Sequence, residues 1–141
     1  MSDPSTPTGT ATDSALDGKT ILFADDDGDV LASLEAAFEP TGANILTARN
    51  GNQAVSLAEA ENPDLIVLDV MMPGRSGFLA AEKIKQGKLP SEKPYLIMIT
   101  ANDGQRHQIY AESQIGVNAY FHKPVPLEKL LNTAEELLAG E

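Results

Sequence analysis

The chain has 141 residues, enough for one folded domain with a proper core and too few for two comfortable ones. It contains no cysteine, which excludes disulfides, thiolate nucleophiles and cysteine-ligated metals. Ten basic residues against 21 acidic ones give a net charge of −11, which argues against direct binding of nucleic acid and leaves a protein partner as the easier expectation. The apolar runs are strand-sized, so no membrane-spanning helix is expected. The opening residues carry no basic region followed by an apolar one, and a cytoplasmic location is the default.

Residues 1–17 are rich in Ser, Thr, Pro, Asp and Gly and read as a disordered leader, with one domain over 18–141. Gly18-Lys19-Thr20 looks like the end of a phosphate-binding loop. The first glycine of that motif would fall at Asp13, however, and the motif precedes a strand instead of following one. The first apolar run, Ile21 to Ala24, ends in the acidic stretch Asp25-Asp26-Asp27-Gly28-Asp29. Helical spacing follows over 29–39, with Asp27 as a natural N-cap and Asp29 in the first turn, where the helix dipole favours negative charge. Neither role uses Asp25 or Asp26. Further strand-like runs are expected at Ala43–Thr47, Leu65–Leu68, Tyr95–Thr100 and Ala119–Phe121. Amphipathic stretches lie at 51–61, 77–86, 105–114 and 127–139. The last is the clearest helix, and 105–114 the weakest, with little beyond Ile109 and Tyr110 to bury. Turn residues fall between them, at Pro40–Gly42, Asn62-Pro63, Pro73-Gly74, Pro90 and Pro94.

Five alternating β/α units with continuous apolar runs in the middle strands predict an α/β fold: a doubly wound, five-stranded parallel sheet with five helices on its two faces. In such sheets ligands sit at the carboxyl ends of the strands. Asp25 and Asp26 end the first strand, Asp69 the third, Thr100 the fourth, and Lys123 follows the fifth. Each has an ordinary alternative: Asp69 as a loop cap, Thr100 as a β-branched strand residue, Lys123 as a solvated lysine. Their joint placement on one rim favours a site. Three carboxylates without Cys or His make a hard, oxygen-rich centre suited to Mg2+. Lys123 and Thr100 suit a phosphoryl group, and Asp69 can act as nucleophile to form an acyl phosphate.

The segments ILFADDDGDV, PDLIVLDVMMPGRSG, MITA and AYFHKP closely resemble the receiver domain of bacterial two-component response regulators, with the motifs in that family's order from about Lys19 to Ala139. The resemblance implies the flavodoxin-like strand order 2-1-3-4-5. It implies that Asp69 is the phosphoacceptor, supplied by a histidine kinase or histidine phosphotransfer protein, in a signalling domain and not in an enzyme acting on a separate substrate. Asp26, Asp69 and the backbone carbonyl of Met71 would ligate Mg2+ directly, and Asp25 largely through water. Thr100 and Lys123 would bind the phosphoryl group, Tyr120 would be the aromatic switch that follows Thr100, and Lys123-Pro124 would be a cis bond.

Some positions depart from the commonest pattern of that family. Gly28 replaces a frequent proline, Ser76 replaces a frequent Asp, and Asp27 adds a third consecutive acid. By the resemblance, Met71 and Asn102 occupy the two positions that in that family tune hydrolysis of the acyl phosphate. A methionine orients an attacking water poorly, so a long-lived phosphate is expected. His107 and His122 are read as surface or structural.

Three alternatives remain at the level of sequence. A phosphohydrolase of the haloacid-dehalogenase type expects an Asp where Met71 stands. A flavodoxin would need its phosphate loop where Asp25–Asp29 repel phosphate. A degenerate receiver used only for docking is at odds with the intact set of rim residues. The chain reads as a stand-alone receiver or one excised from a larger regulator. The resemblance implies that its output is contact with an unidentified downstream protein, on the face formed by 105–114, the last strand and 127–139.

Overall fold

The computed structural model describes residues 15–72, 76–101 and 105–139, apart from the side chains of 105 and 106. Five parallel strands, β1 (Thr20–Ala24), β2 (Asn44–Ala48), β3 (Leu65–Asp69), β4 (Tyr95–Thr100) and β5 (Ala119–His122), form one sheet in the order β2-β1-β3-β4-β5. The helices are α1 (Gly28–Phe38), α2 (Gly51–Glu61), α3 (Gly77–Lys85), α4 (Gln105–Tyr110) and α5 (Leu127–Ala139). This is the doubly wound parallel architecture expected from the pattern of the sequence, and it has the flavodoxin-like order.

Alternation along the strands divides the core in two. Leu22, Ala24, Ile66, Leu68, Leu96, Met98 and Tyr120 pack with Val55 of α2 and Ala80, Ala81 and Ile84 of α3. Ile21, Phe23, Leu65, Val67, Ile97 and Ile99 pack with Leu31, Leu34 and Phe38 of α1 and Leu130, Ala134 and Leu138 of α5. The rings of Phe23 and Phe38 meet edge to face at 4.9 Å between centroids. β3 is buried along its whole length because both neighbouring strands and both helical layers cover it. The side chains one step beyond these rows, Asp25 and Asp69, belong to the α1–α5 face, and Thr100 belongs to the other.

Caps fix where three helices begin. The side chains of Asp27, Asn50 and Ser76 accept backbone N–H groups from the first turns of α1, α2 and α3. The weak amphipathic stretch 105–114 is only six residues of α-helix followed by a π-helical turn, Ala111–Ile115, which closes at Gly116. With few apolar positions, this segment buries Ala111 and Ile115 and leaves Ile109 and Tyr110 exposed. β2 starts and ends one residue later than its apolar run suggested.

The expected leader is described only from residue 15, and there it is part of the fold. Leu16 is fully buried in the α1–α5 core, and Gly18 N–H donates to the Gly42 carbonyl at 3.1 Å. A single leucine among polar residues gives no periodicity, so the sequence pattern could not place it. Pro73-Gly74 and Asn102 lie outside the described residues.

Candidate functional site

The acidic stretch after β1 is a tightly bonded loop. Asp25 N–H donates to the Ala48 carbonyl at 3.0 Å, extending the β1–β2 ladder by one bond. The Asp25 carboxylate accepts the Asp27 N–H at 2.9 Å, and the Asp27 carboxylate accepts the Asp29 N–H at 2.9 Å. Asp27 therefore caps α1, as its position suggested, while Asp25 is buried and Asp26 is exposed.

Asp69 ends β3, buried, and the Met71 N–H donates to it at 3.2 Å. Gly77 of α3 lies directly behind it. A Cβ there would come within 2.5 Å of the Asp69 carbonyl oxygen and 2.6 Å of the Val70 Cα, a distance no side chain tolerates. Glycine at 77 thus lets α3 approach the end of β3, a positioning role that sequence reasoning did not assign.

Lys123 completes the arrangement from the turn after β5. Its N–H donates to the Thr100 carbonyl at 2.8 Å, and its Nζ lies 3.4 Å from Asp25 Oδ2 and 3.3 Å from Asp69 Oδ2. These contacts are longer than a well-formed charge-assisted bond, so one ammonium is shared loosely between two carboxylates. Burial raises the pKa of Asp69, and the charge of Asp25 adds to the rise against the opposing pull of the Met71 N–H and Lys123. Burial alone would lower the pKa of Lys123, but the two carboxylates outweigh it and the group ends above its ordinary value. The peptide bond from Lys123 to Pro124 is cis.

Thr100 is completely buried at the end of β4, beside the carboxylate rim. Tyr120 of β5 is also buried, with its ring in the α2–α3 core, and its hydroxyl has no hydrogen-bond partner among the described residues. Burial raises its pKa. An unpaired buried hydroxyl is costly, so the ring's position leaves a polar group ready to accept a new partner. His122 is exposed and meets the Tyr120 ring at 5.7 Å. His107 is exposed and tilts against Phe78 at 5.4 Å. Neither histidine joins the carboxylates.

One carboxylate oxygen from each of Asp25, Asp26 and Asp69 lies within 4.8 Å of the others. Three oxygen donors with no nitrogen or sulfur among them fit a hard divalent cation. Met71 places its side chain in solvent, 62% exposed. Beside the carboxylates an apolar cleft of about 520 Å³ runs between α1 and α5, walled by Val30, Leu34, Val67, Ile99, Val125 and Leu130. It reaches both Asp69 and Lys123, a feature without a counterpart in the sequence reading. All the rim residues expected from the sequence, Asp25, Asp26, Asp69, Thr100 and Lys123, lie at the carboxyl edge of the sheet.

A parallel α/β sheet with a carboxylate cluster, a lysine and a threonine at its carboxyl edge has these groups where doubly wound folds place their ligands. The model of the response regulator receiver domain matches residues 21–135, and the chain belongs to that family. It is 36% identical over 120 residues to Protein PilH of Pseudomonas aeruginosa, an alignment that covers 85% of this chain and 98% of PilH. It is 34% identical to the phosphate regulon transcriptional regulatory protein PhoB of the same species, covering 86% of this chain but only 52% of PhoB. Among solved structures it resembles a CheY-like response regulator receiver domain protein from Methanospirillum hungatei, with a TM-score of 0.80 and 27% identity over 87% of this chain and 95% of that one. Receiver domains are signalling phosphoacceptors, and response regulators work with histidine kinases in phosphorelays. Family membership sets aside the phosphohydrolase and flavodoxin alternatives. Among the described residues no helix is long and apolar enough to cross a membrane.

Proposed function

We propose that this chain accepts a phosphoryl group on Asp69 from a phosphohistidine and thereby switches a protein-binding face. The observation that carries the reading is the shared position of Lys123, 3.3 Å from Asp69 and 3.4 Å from Asp25, within a cluster of three carboxylates. Asp25, Asp26, Asp69 and the Met71 carbonyl are the groups that would hold Mg2+, which when bound supplies the positive charge that offsets the carboxylates.

In the reaction an Asp69 carboxylate oxygen attacks the phosphorus of the phosphohistidine. The oxygen–phosphorus bond forms as the phosphorus–nitrogen bond breaks, and the leaving imidazole takes up a proton. Asp69 must be ionised to attack, and the Lys123 ammonium beside it favours the ionised form. After transfer, Lys123 and the Thr100 hydroxyl are the groups suited to the new phosphoryl oxygens. Movement of Thr100 toward the phosphoryl group would alter its surroundings on the Tyr120 side, which couples the site to β5 and the neighbouring helices. The exposed Met71 thioether is only a weak acceptor and orients water poorly, which supports slow hydrolysis and a faster decay in Met71→Asn. The partners are a histidine kinase or phosphotransfer protein and a downstream protein, in the cytoplasm.

Incubation with Mg2+ and acetyl phosphate, or with beryllofluoride, followed by intact mass or NMR, tests the reading. Wild type should take up one adduct and Asp69→Ala none. Equal modification of Asp69→Ala would overturn it.

A further inference from the structure

Arg49 lies in the turn between β2 and α2, and its guanidinium reaches across to the acidic loop. It donates to the Asp26 backbone carbonyl twice, from Nε at 3.3 Å and from the second terminal nitrogen at 3.0 Å. Four aspartates stand in the adjoining loop, yet among the described residues Arg49 forms no salt bridge. An arginine that only answered negative charge would be expected to seek a carboxylate, where its fork binds best. This one binds a carbonyl and leaves the carboxylates available to another cation.

The backbone beneath the guanidinium is itself fixed. Arg49 N–H donates to the Gln53 side-chain carbonyl at 2.7 Å, while Gln53 N–H donates to the Asn50 side chain at 2.8 Å, so the start of α2 pins the residue. The preceding residue, Ala48, accepts the Asp25 N–H. The β2–α2 turn thus grips the acidic loop at Asp25 through its backbone and at Asp26 through Arg49. Gly28 makes room for the second grip. A Cβ at 28 would meet the Arg49 guanidinium at 3.3 Å to one terminal nitrogen and 3.5 Å to Cζ. Glycine at the first position of α1 is otherwise a poor choice, because it adds conformational freedom where proline would remove it. The extended backbone of Asp27 (φ −96°, ψ 110°) would accept a following proline.

We propose that Arg49 is a positioning residue for the metal centre: it clamps the Asp26 carbonyl, orients the Asp26 carboxylate, and replaces the stiffness that Gly28 gives up. The inference rests on the Mg2+ reading above, with Asp26 as a ligand. A guanidinium beside a cation site also repels the cation. The two effects separate by substitution. If orientation dominates, Arg49→Met and Arg49→Lys both weaken Mg2+ binding, because lysine keeps the charge but not the pair of hydrogen bonds to one carbonyl. If charge dominates, Arg49→Met tightens binding and Arg49→Lys leaves it unchanged.

The test is a Mg2+ titration of the full chain followed by amide NMR shifts of Asp25–Asp29, together with hydrogen exchange of the Asp27 and Asp29 amides without metal. Both variants should bind Mg2+ about threefold to tenfold more weakly than wild type, as expected for losing exposed bonds to a charged donor. Both should also exchange those amides faster while unfolding at nearly the wild-type denaturant concentration. Gly28→Pro should weaken binding in wild type and have little effect in Arg49→Met, because its ring displaces a guanidinium that the double variant lacks. Wild-type affinity in Arg49→Lys, or tighter binding in Arg49→Met, overturns the positioning role and leaves the metal site standing. Failure of the wild-type chain to respond to Mg2+ overturns the metal site, and the positioning role falls with it.

Discussion

Two lysines lie at opposite edges of the sheet, and their surroundings differ in kind. Lys85 ends α3 at the amino edge, only 3% exposed, and its ammonium donates to the backbone carbonyls of Glu92 at 2.5 Å and Pro94 at 3.1 Å. Lys123 stands at the carboxyl edge, its side chain 33% exposed, between two carboxylates at 3.3 and 3.4 Å. Burial lowers the pKa of Lys85, and Lys88 nearby adds to the fall. At Lys123 the carboxylates more than reverse the same effect. Carbonyl dipoles fixed by a loop cannot change their charge, so Lys85 acts as a staple for the segment between α3 and β4. Carboxylates can gain a metal or a phosphoryl group, so the partners of Lys123 are open to exchange. The two ammonium groups therefore differ in whether their acceptors are fixed dipoles or groups open to exchange.

Lys123→Met separates the two lysines most strongly. Phosphorylation by acetyl phosphate should fall roughly 100-fold, the scale of losing one preorganised charge on a transferring group. Removing the shared ammonium also leaves Asp25 and Asp69 buried side by side, and urea unfolding of the metal-free protein should show a loss of about 1 kcal/mol. That figure is well below that of a fully buried pair because Lys123 is partly solvated. A wild-type phosphorylation rate in this variant would remove Lys123 from the site.

Lys85→Met should show the reverse profile. Two carbonyls lose their donor, one of those bonds being buried, and stability should fall by about 1–2 kcal/mol in urea unfolding. The phosphorylation rate of the folded variant should match wild type. A rate loss comparable to that of Lys123→Met would mean that the amino edge takes part in the reaction and that the two-edge distinction is wrong.

The difference between the edges also separates what the sequence could disclose from what it could not. Asp25, Asp69, Thr100 and Lys123 were legible because each closes a strand or directly follows one, and parallel strands deliver their ends to one rim. The helix start at Asp27 was legible because capping is local. Lys85 carried a signal that went unread: the buried positions of α3 are Gly77, Ala80, Ala81, Ile84 and Lys85, so the lysine continues the apolar stripe. Arg49 carried no such signal. Its bond to Asp26 joins residues far apart in the chain, on the solvent side, where neither periodicity nor propensity constrains a side chain. The π-helical end at 111–115 was equally hidden, because a stretch with so few apolar residues leaves the hydrogen-bond register to tertiary contacts such as those of Ala111 and Ile115.

The smallest expected effect, and the most direct reading of the comparison, is a pair of opposite slopes in alkaline solution. The folded pKa of Lys85 is below its unfolded value of about 10.4, so through that interval the unfolded chain binds more protons and the contribution of Lys85 to stability rises with pH. The folded pKa of Lys123 is raised, so its contribution is complete below about 10.4 and is lost as pH climbs through the folded value. Tyr120, with its pKa also raised, titrates in the same region and must be cancelled. Subtracting each variant's unfolding free energy from that of wild type, pH by pH from about 8 to 11, does so, because Tyr120 is common to all three proteins. The wild-type minus Lys85→Met difference should grow by a few tenths of a kcal/mol across this range, and the wild-type minus Lys123→Met difference should shrink near its upper end. Slopes of the same sign would show that the two ammonium groups sit in equivalent fields, which carbonyls on one side and carboxylates on the other do not allow.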